Sequence, residues 1–286
     1  MTVECVVNIS EGQDRSLVDR IASAAEQTLL DVHTDAVHHR SVLTLGGQHD
    51  DIVTASRAVV SQACALIDMR EHAGSHPRFG AADVVPFVSL DGAAGEAVTL
   101  RDDFAGWAAR ELGLPCFLYG PERSLPTVRR EAFRSLAPDT GPPVPHPTAG
   151  ASAVGARPVL VAYNVWMVGP EEGATAALGL ARRVAGAIRG SAVRSLGLPA
   201  GDQAQVSCNL IDPGSVGPAE VYDLIAAAVT EQGGGVIRAE LVGLVPSRVL
   251  AAIPVHRHAE LDLSPERTIE ARLESAGSVP APLRRR

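Results

Sequence analysis

The chain has 286 residues, 46% of them apolar and only 3% aromatic, with a formal net charge of −8. All 25 basic residues are Arg, so chemistry that needs a lysine, such as a Schiff base, pyridoxal-phosphate attachment or a Walker A phosphate loop, is excluded. The acidic balance argues against a nucleic-acid partner, and no apolar run reaches the 18 or so residues that a membrane span needs.

A strand is expected over residues 3–8 and a helix over 15–27, with Leu17, Val18, Ile21, Ala24 and Ala25 on one face. Two strands, 28–34 and 41–46, follow around a turn. The apolar stripe of Ile52, Val59, Val60, Ala63, Cys64 and Ile67 predicts a helix over 49–71. After a short polar loop come a strand at 83–89, a helix at 93–112 and a strand at 115–119. Residues 138–150 are too dense in Pro and Gly for regular structure. The pattern resumes with a strand at 158–167, a helix at 171–189, strands at 193–198 and 204–211, a helix at 218–232 and a strand at 235–243. This order predicts an α/β (α+β) protein of two subdomains, 1–169 and 170–276, in the split βαβ style, with a disordered tail at 277–286. The first residues, Met1-Thr2-Val3-Glu4-Cys5, lack the basic-then-apolar pattern of a signal peptide, and the four Cys are far apart in apolar runs, without metal-ligand spacing, so reduced thiols in a cytoplasmic protein are expected.

Four stretches carry side chains suited to chemistry. In the loop from Gly74 to Asp83, Pro77 biases His76 toward an extended backbone and Arg78 follows at once. An imidazole suits general acid and base work, and a guanidinium grips a carboxylate with two parallel hydrogen bonds. At the end of the first strand, Asn8, Ser10 and Glu11 either face a crevice or form a turn in which Ser10 or Asp14 caps the next helix. Between residues 31 and 40, His33, His38 and His39 lie among two Asp, with Arg40 beyond them. The adjacent His38 and His39 point apart, which favours one or two ligand contacts over a metal site. On the strand at 204–211, Gln205, Ser207 and Asn209 share one face, as a ligand channel or a wet edge strand.

Taken in order, these segments resemble the formiminotransferase family. The likeness is carried by Asn8-x-Ser10-Glu11-Gly12, Leu29-Leu30-Asp31-Val32, Arg40-Ser41-Val42, Ile67-Asp68-Met69, His76-Pro77-Arg78-x-Gly80-Ala81-x-Asp83-Val84, Leu118-Tyr119-Gly120, Gly155-Ala156-Arg157, Ala204-Gln205-Val206-Ser207-x-Asn209 and Glu240-Leu241-Val242-Gly243. The resemblance implies two subdomains, each a mixed sheet with helices on one face, the sheets facing across a ligand tunnel, in a cytoplasmic homodimer. It implies transfer of a formimino group from N-formimino-L-glutamate to N5 of tetrahydrofolate, with small-molecule substrates, no metal, and no nucleic-acid or membrane partner. His76 matches the family's catalytic base. Arg40, Arg78 and Arg157 are candidates for the donor's carboxylates, with His33, Asn8, Ser10 and Glu11 beside them. Gly141, Pro142, Pro143, Val144, Pro145, His146, Pro147, Thr148, Ala149 and Gly150 match the folate-binding loop. His33 stands where the family carries Asp, and Ala149 where it carries an aromatic. The same scaffold could serve another one-carbon donor or acceptor, or a non-catalytic ligand binder.

Overall fold

The computed structural model describes residues 1–74, 78–92 and 94–277. His76, the expected acid and base, lies outside the described residues, as do its neighbours Ser75 and Pro77 and, from 278 on, the tail expected to be disordered. The chain forms two compact units that divide between Pro158 and Val159. The strand expected at 158–167 therefore belongs to the second unit, and the boundary read near Gly169 lies one strand further along.

The first unit opens with β1 (Thr2–Ile9), α1 (Arg15–Ser23), β2 (Leu29–Asp35), β3 (Arg40–Gln48), α2 (His49–Leu66) and β4 (Ala82–Ser89), a βαββαβ unit. It continues through α3 (Ala94–Leu112), β5 (Cys116–Tyr119), α4 (Leu125–Glu131) and β6 (Ser152–Ala156). The sheet order is β2-β3-β1-β4-β6-β5. The pairs from β2 to β4 are antiparallel, and β6 runs parallel to both β4 and β5. Alternation along β1 sends Val3, Cys5, Val7 and Ile9 into the core. They pack there with Ile52, Val59 and Val60 of α2 and Leu100 and Phe104 of α3. The opposite face of the same strand carries Glu4 and Asn8, both buried.

Two helices end earlier than the sequence pattern predicts. α1 stops at Ser23, and Glu26 takes a left-handed backbone, φ 48°, that starts a separate single turn. α2 stops at Leu66, where Ile67 turns extended, and the Met69 N–H donates to Thr148 O at 2.8 Å instead of continuing the helical ladder. The tertiary bond wins over local propensity there. Neither α4 nor β6 was predicted. β6 reads Ser-Ala-Val-Gly-Ala, with one β-branched residue and no alternation to see, because it is buried on both faces between two parallel strands. Gly155 in β6 is required by packing, since a Cβ there would sit 2.1 Å from the Tyr119 ring.

The second unit is β7 (Val161–Val168), α5 (Ala174–Ile188), β8 (Val193–Ala200), β9 (Gln203–Leu210), α6 (Pro218–Glu231) and β10 (Gly235–Val242), followed by α7 (Ser247–Ala251) and the start of α8 (Ile269–Ser275). Its sheet, β10-β7-β9-β8, repeats the βαββαβ order of the first unit and is antiparallel throughout, where a mixed sheet was expected. Tyr163, Val165 and Met167 of β7 pack with Leu180, Val184, Ile225 and Val229 of the helices.

Candidate functional site

Strand register brings three of the sequence candidates onto one face of the first sheet. Val42 pairs with both Asn8 and His33, so Asn8 and His33 flank it on the face away from the helices. Arg40, two residues before Val42 in β3, points the same way, and its Nη2 donates to Asn8 Oδ1. Asn8 Nδ2 donates in turn to Val6 O at 2.9 Å. Arg40 is desolvated, which lowers its pKa to about 10; Asp83 opposes that fall, and Arg129 and Arg78 add to it. A guanidinium held this way remains charged at neutral pH and has given up much of its hydration, which suits it to an incoming carboxylate.

Glu11 and Ser10 are bound to the frame. Glu11 Oε1 accepts the N–H groups of Gly12 and Gln13 at 2.8 Å and of Asp14 at 3.0 Å. Asp14 is the cap of α1, accepting from the Leu17 N–H at 3.1 Å. Ser10 Oγ donates to Gly80 O at 2.8 Å, and its N–H donates to Ala81 O at 2.9 Å. Ser10 thereby ties the end of β1 to the segment that follows Arg78.

The described end of that loop is held by a buried ion pair that the sequence reading missed. Asp83, 2% exposed, takes both Nη groups of Arg129, at 3.1 and 2.5 Å, and the Phe79 N–H at 2.9 Å. Arg129 also lies over the Phe79 ring, 5.4 Å from its centroid. Asp83 sat in a recognised motif, but nothing in the sequence marked Arg129, 46 residues on, as its partner. Arg78 itself is seated on backbone: Nη1 donates to His39 O at 2.6 Å and Nη2 donates to His38 O. Burial lowers its pKa, with Asp83 acting the other way.

The stretch from Gly141 to Gly150 is not a bare linker. His146 and Gly150 exchange backbone hydrogen bonds at 2.7 and 3.0 Å, and His146 Nδ1 accepts the N–H groups of Ala149 at 3.0 Å and Thr148 at 3.3 Å. Gly141 and Gly150 have φ of +88° and +70°, the left-handed backbone that favours glycine. The loop is fastened beside the expected acid/base segment: the Ala81 N–H donates to Ala149 O at 2.9 Å and the Ala151 N–H to Phe79 O at 3.0 Å. Backbone approach is so close that a Cβ on Gly80 would lie 1.7 Å from Ala151 O. Pro143, Val144, Pro145 and Pro147 are exposed, Pro142 is half-buried, and Ala149 is fully buried in the core.

The structure does not join every candidate to this cluster. Arg157 donates to Pro158 O at 3.0 Å and lies near Tyr119 and Cys5, whose ionisations it influences. Gln205, Ser207 and Asn209 do share a face of β9, in the second unit, and run from buried through half-buried to exposed. Gln205 pairs with Trp166, and Ser207 with Asn164. On the same face Glu240 Oε2 accepts from Asn164 Nδ2 at 3.0 Å and Trp166 Nε1 at 2.9 Å, and Arg238 lies over the Trp166 ring at 4.3 Å. This polar group, buried at Asn164 and Trp166 and open at Arg238, was missed too. Its signal was Asn164 and Trp166 two apart on an apolar strand. Among the described residues no group of three or more His, Cys, Asp or Glu is arranged to hold a metal ion, and no helix is long and apolar enough to cross a membrane.

Residues 2–157 match the model of the formiminotransferase domain, N-terminal subdomain. The chain is 38% identical over 275 residues to glutamate formimidoyltransferase of Streptococcus pyogenes serotype M1, covering 87% of this chain and 90% of that one. It is 37% identical over 277 residues to glutamate formimidoyltransferase of Thermoplasma acidophilum, covering 87% and 89%. Formimidoyltransferase-cyclodeaminase of Sus scrofa is 36% identical over 274 residues, which is 87% of this chain and 51% of that longer protein. A two-unit α+β chain with these relatives is a transferase. It belongs to the formiminotransferase family, as the motifs in its sequence imply.

Proposed function

We propose that the chain transfers the formimino group of N-formimino-L-glutamate to N5 of tetrahydrofolate, with His76 as general acid and base. The observation that carries this reading is the pair of hydrogen bonds joining Ala149 to Ala81 and Ala151 to Phe79. They set the loop that matches the family's folate-binding segment directly beside the segment that leads out of His76 and Arg78.

N5 of the folate attacks the amidine carbon and loses its proton, and the bond from that carbon to the glutamate nitrogen breaks as that nitrogen gains a proton. No electrons are exchanged with an outside acceptor. A single imidazole, with an ordinary pKa of about 6.5, can take the first proton and return the second. Arg40 provides the charge for a donor carboxylate, with Asn8 fixing its orientation and His33 across the row at Val42. Arg78 and Arg157 are the other guanidinium candidates for the donor. The exposed Pro143, Val144 and Pro145 offer the pterin an apolar surface. Ala149 turns into the core and so does not add to that surface. Most of the rate gain then comes from holding two substrates in line. We further infer that the enzyme is a cytoplasmic homodimer.

The test is to mix the purified protein with formiminoglutamate and tetrahydrofolate and follow the 5,10-methenyl-tetrahydrofolate that acid generates from the product. Product above a protein-free blank supports the reading. Folate binding with no product favours a non-catalytic binder, and neither binding nor product favours a different one-carbon substrate on the same scaffold.

A further inference from the structure

The turn between β2 and β3 meets the stretch after α2 in a histidine cluster that the transfer chemistry does not use. His39 and His72 stack, with ring centroids 4.2 Å apart and planes inclined by 28°. Arg78 Nη1 lies 2.8 Å from His72 Nε2, and it donates to His39 O at 2.6 Å. A guanidinium nitrogen can only donate. At 2.8 Å from it, Nε2 must be the acceptor, so the His72 ring is neutral and carries its proton on Nδ1. The 3.2 Å approach of the same Nε2 to His39 O is then a contact between two acceptors that share one donor.

We propose that His72 is a positioning residue, whose Nε2 lone pair, together with the carbonyls of His38 and His39, seats the Arg78 guanidinium on the β2–β3 turn, two residues along the chain from His76. Its role in catalysis rests on the transfer reading above; its role as an acceptor does not. Space around the guanidinium is tight, since a Cβ on Gly74 would meet Arg78 Nη2 at 2.6 Å.

Protonating His72 would set N–H against N–H and cation against cation. Of the groups that face it among the described residues, only carbonyl oxygens, those of His39 and of His72 itself, favour the charged ring. Arg78 is positive. The stacked His39 turns its Nδ1 away to Gly12 N at 3.1 Å and Glu11 Oε1 at 3.3 Å. Glu11 already takes three N–H groups. Asp35 on the turn is committed to His38, at 2.6 Å, and Asp83 to Arg129, which adds its own positive charge near Arg78. Burial, Arg78 and His39, in that order, lower the pKa of His72, and they outweigh the opposing hydrogen bonds to the His39 and His72 carbonyls. The unfolded chain therefore binds a proton at this ring more readily than the folded one. The cradle is whole at neutral pH and is lost as pH falls below the ordinary imidazole range.

Two measurements test this. In uniformly 15N-labelled protein at neutral pH, long-range proton–nitrogen correlation should show His72 with an unprotonated, hydrogen-bonded Nε2 and a protonated Nδ1. A proton on Nε2 overturns the proposal whether or not the protein has transferase activity. In the transfer assay, the acid limb of the kcat/KM profile should need two protonations in the wild type and one in His72→Gln, whose amide oxygen accepts from Arg78 but does not titrate. His72→Ala should lose about ten- to a hundredfold in kcat/KM through misplacement of Arg78. An unchanged acid limb in His72→Gln overturns the pH role while leaving the transfer reading intact. Absence of any wild-type turnover defeats the transfer reading, and the tautomer still decides the acceptor role.

Discussion

Replacing Asp83 by Asn removes the carboxylate that Arg129 grips and leaves the shape of the side chain nearly unchanged. The amide oxygen can still accept the Phe79 N–H, so the loss isolates the charge. Stripping one partner from a buried ion pair costs about 3–5 kcal/mol, because the remaining charge has no compensation. The Arg129 side chain retains 18% exposure and can lean on the Phe79 ring, so the low end, about 3 kcal/mol, applies. At 1.4 kcal/mol per decade this is about a hundredfold in the opening equilibrium of the surrounding segment. Hydrogen exchange read peptide by peptide over residues 79–89 measures it, because these amides open with the segment that Asp83 holds. Replacing Arg129 by Met alongside Asp83→Asn leaves no stranded charge and should restore at least half of the lost protection. A loss below about tenfold, or a double variant worse than the single one, would refute the argument that this pair clamps the loop.

Four other outcomes follow from the structure. Arg40→Ala should raise KM for the donor by about ten- to a hundredfold with a smaller change in kcat, as expected for losing one charge-assisted hydrogen bond, and steady-state kinetics that show less than a twofold rise would contradict it. With its pKa lowered to about 10, Arg40 stays charged through the neutral range, so donor KM should be flat there and climb only as pH rises through about 10. Gly80→Ala should fold poorly or lose transfer, since its Cβ would lie 1.7 Å from Ala151 O on a backbone that cannot yield; a variant with wild-type melting temperature and rate sinks this. The thiols of Cys116 and Cys208 are pushed up to about 12 by burial and that of Cys5 is raised by the same cause, so a disulfide reagent at mild pH should reach these three only on unfolding, while the half-buried Cys64 is the one thiol open to slow labelling in the native protein.

The alternation of Val3, Cys5 and Val7 and the helical stripe of Ile52, Val59, Val60 and Ala63 were legible because each buries one face against one partner layer. β6 was not legible because a strand buried on both faces between parallel neighbours shows no period, and its Gly155 is fixed by Tyr119, 36 residues away in the chain. The early end of α2 was equally hidden, since it is a bond from Met69 to Thr148 that stops the helix. In the site, residue types could be read and partners could not. Arg40, Asn8 and His33 were named from their chemistry, and only strand register shows that they share a face. Glu11 reads as a free carboxylate in sequence, and its three backbone N–H groups become visible only with the turn folded.

In the proposed transfer, the imidazole of His76 moves the proton between the two amines. A single-turnover transfer experiment with His76→Ala, at saturating formiminoglutamate and tetrahydrofolate, tests it without interference from product release. Loss of the acid and base should lower the rate by about two to four decades with both substrates still bound. A rate within tenfold of the wild type would contradict it.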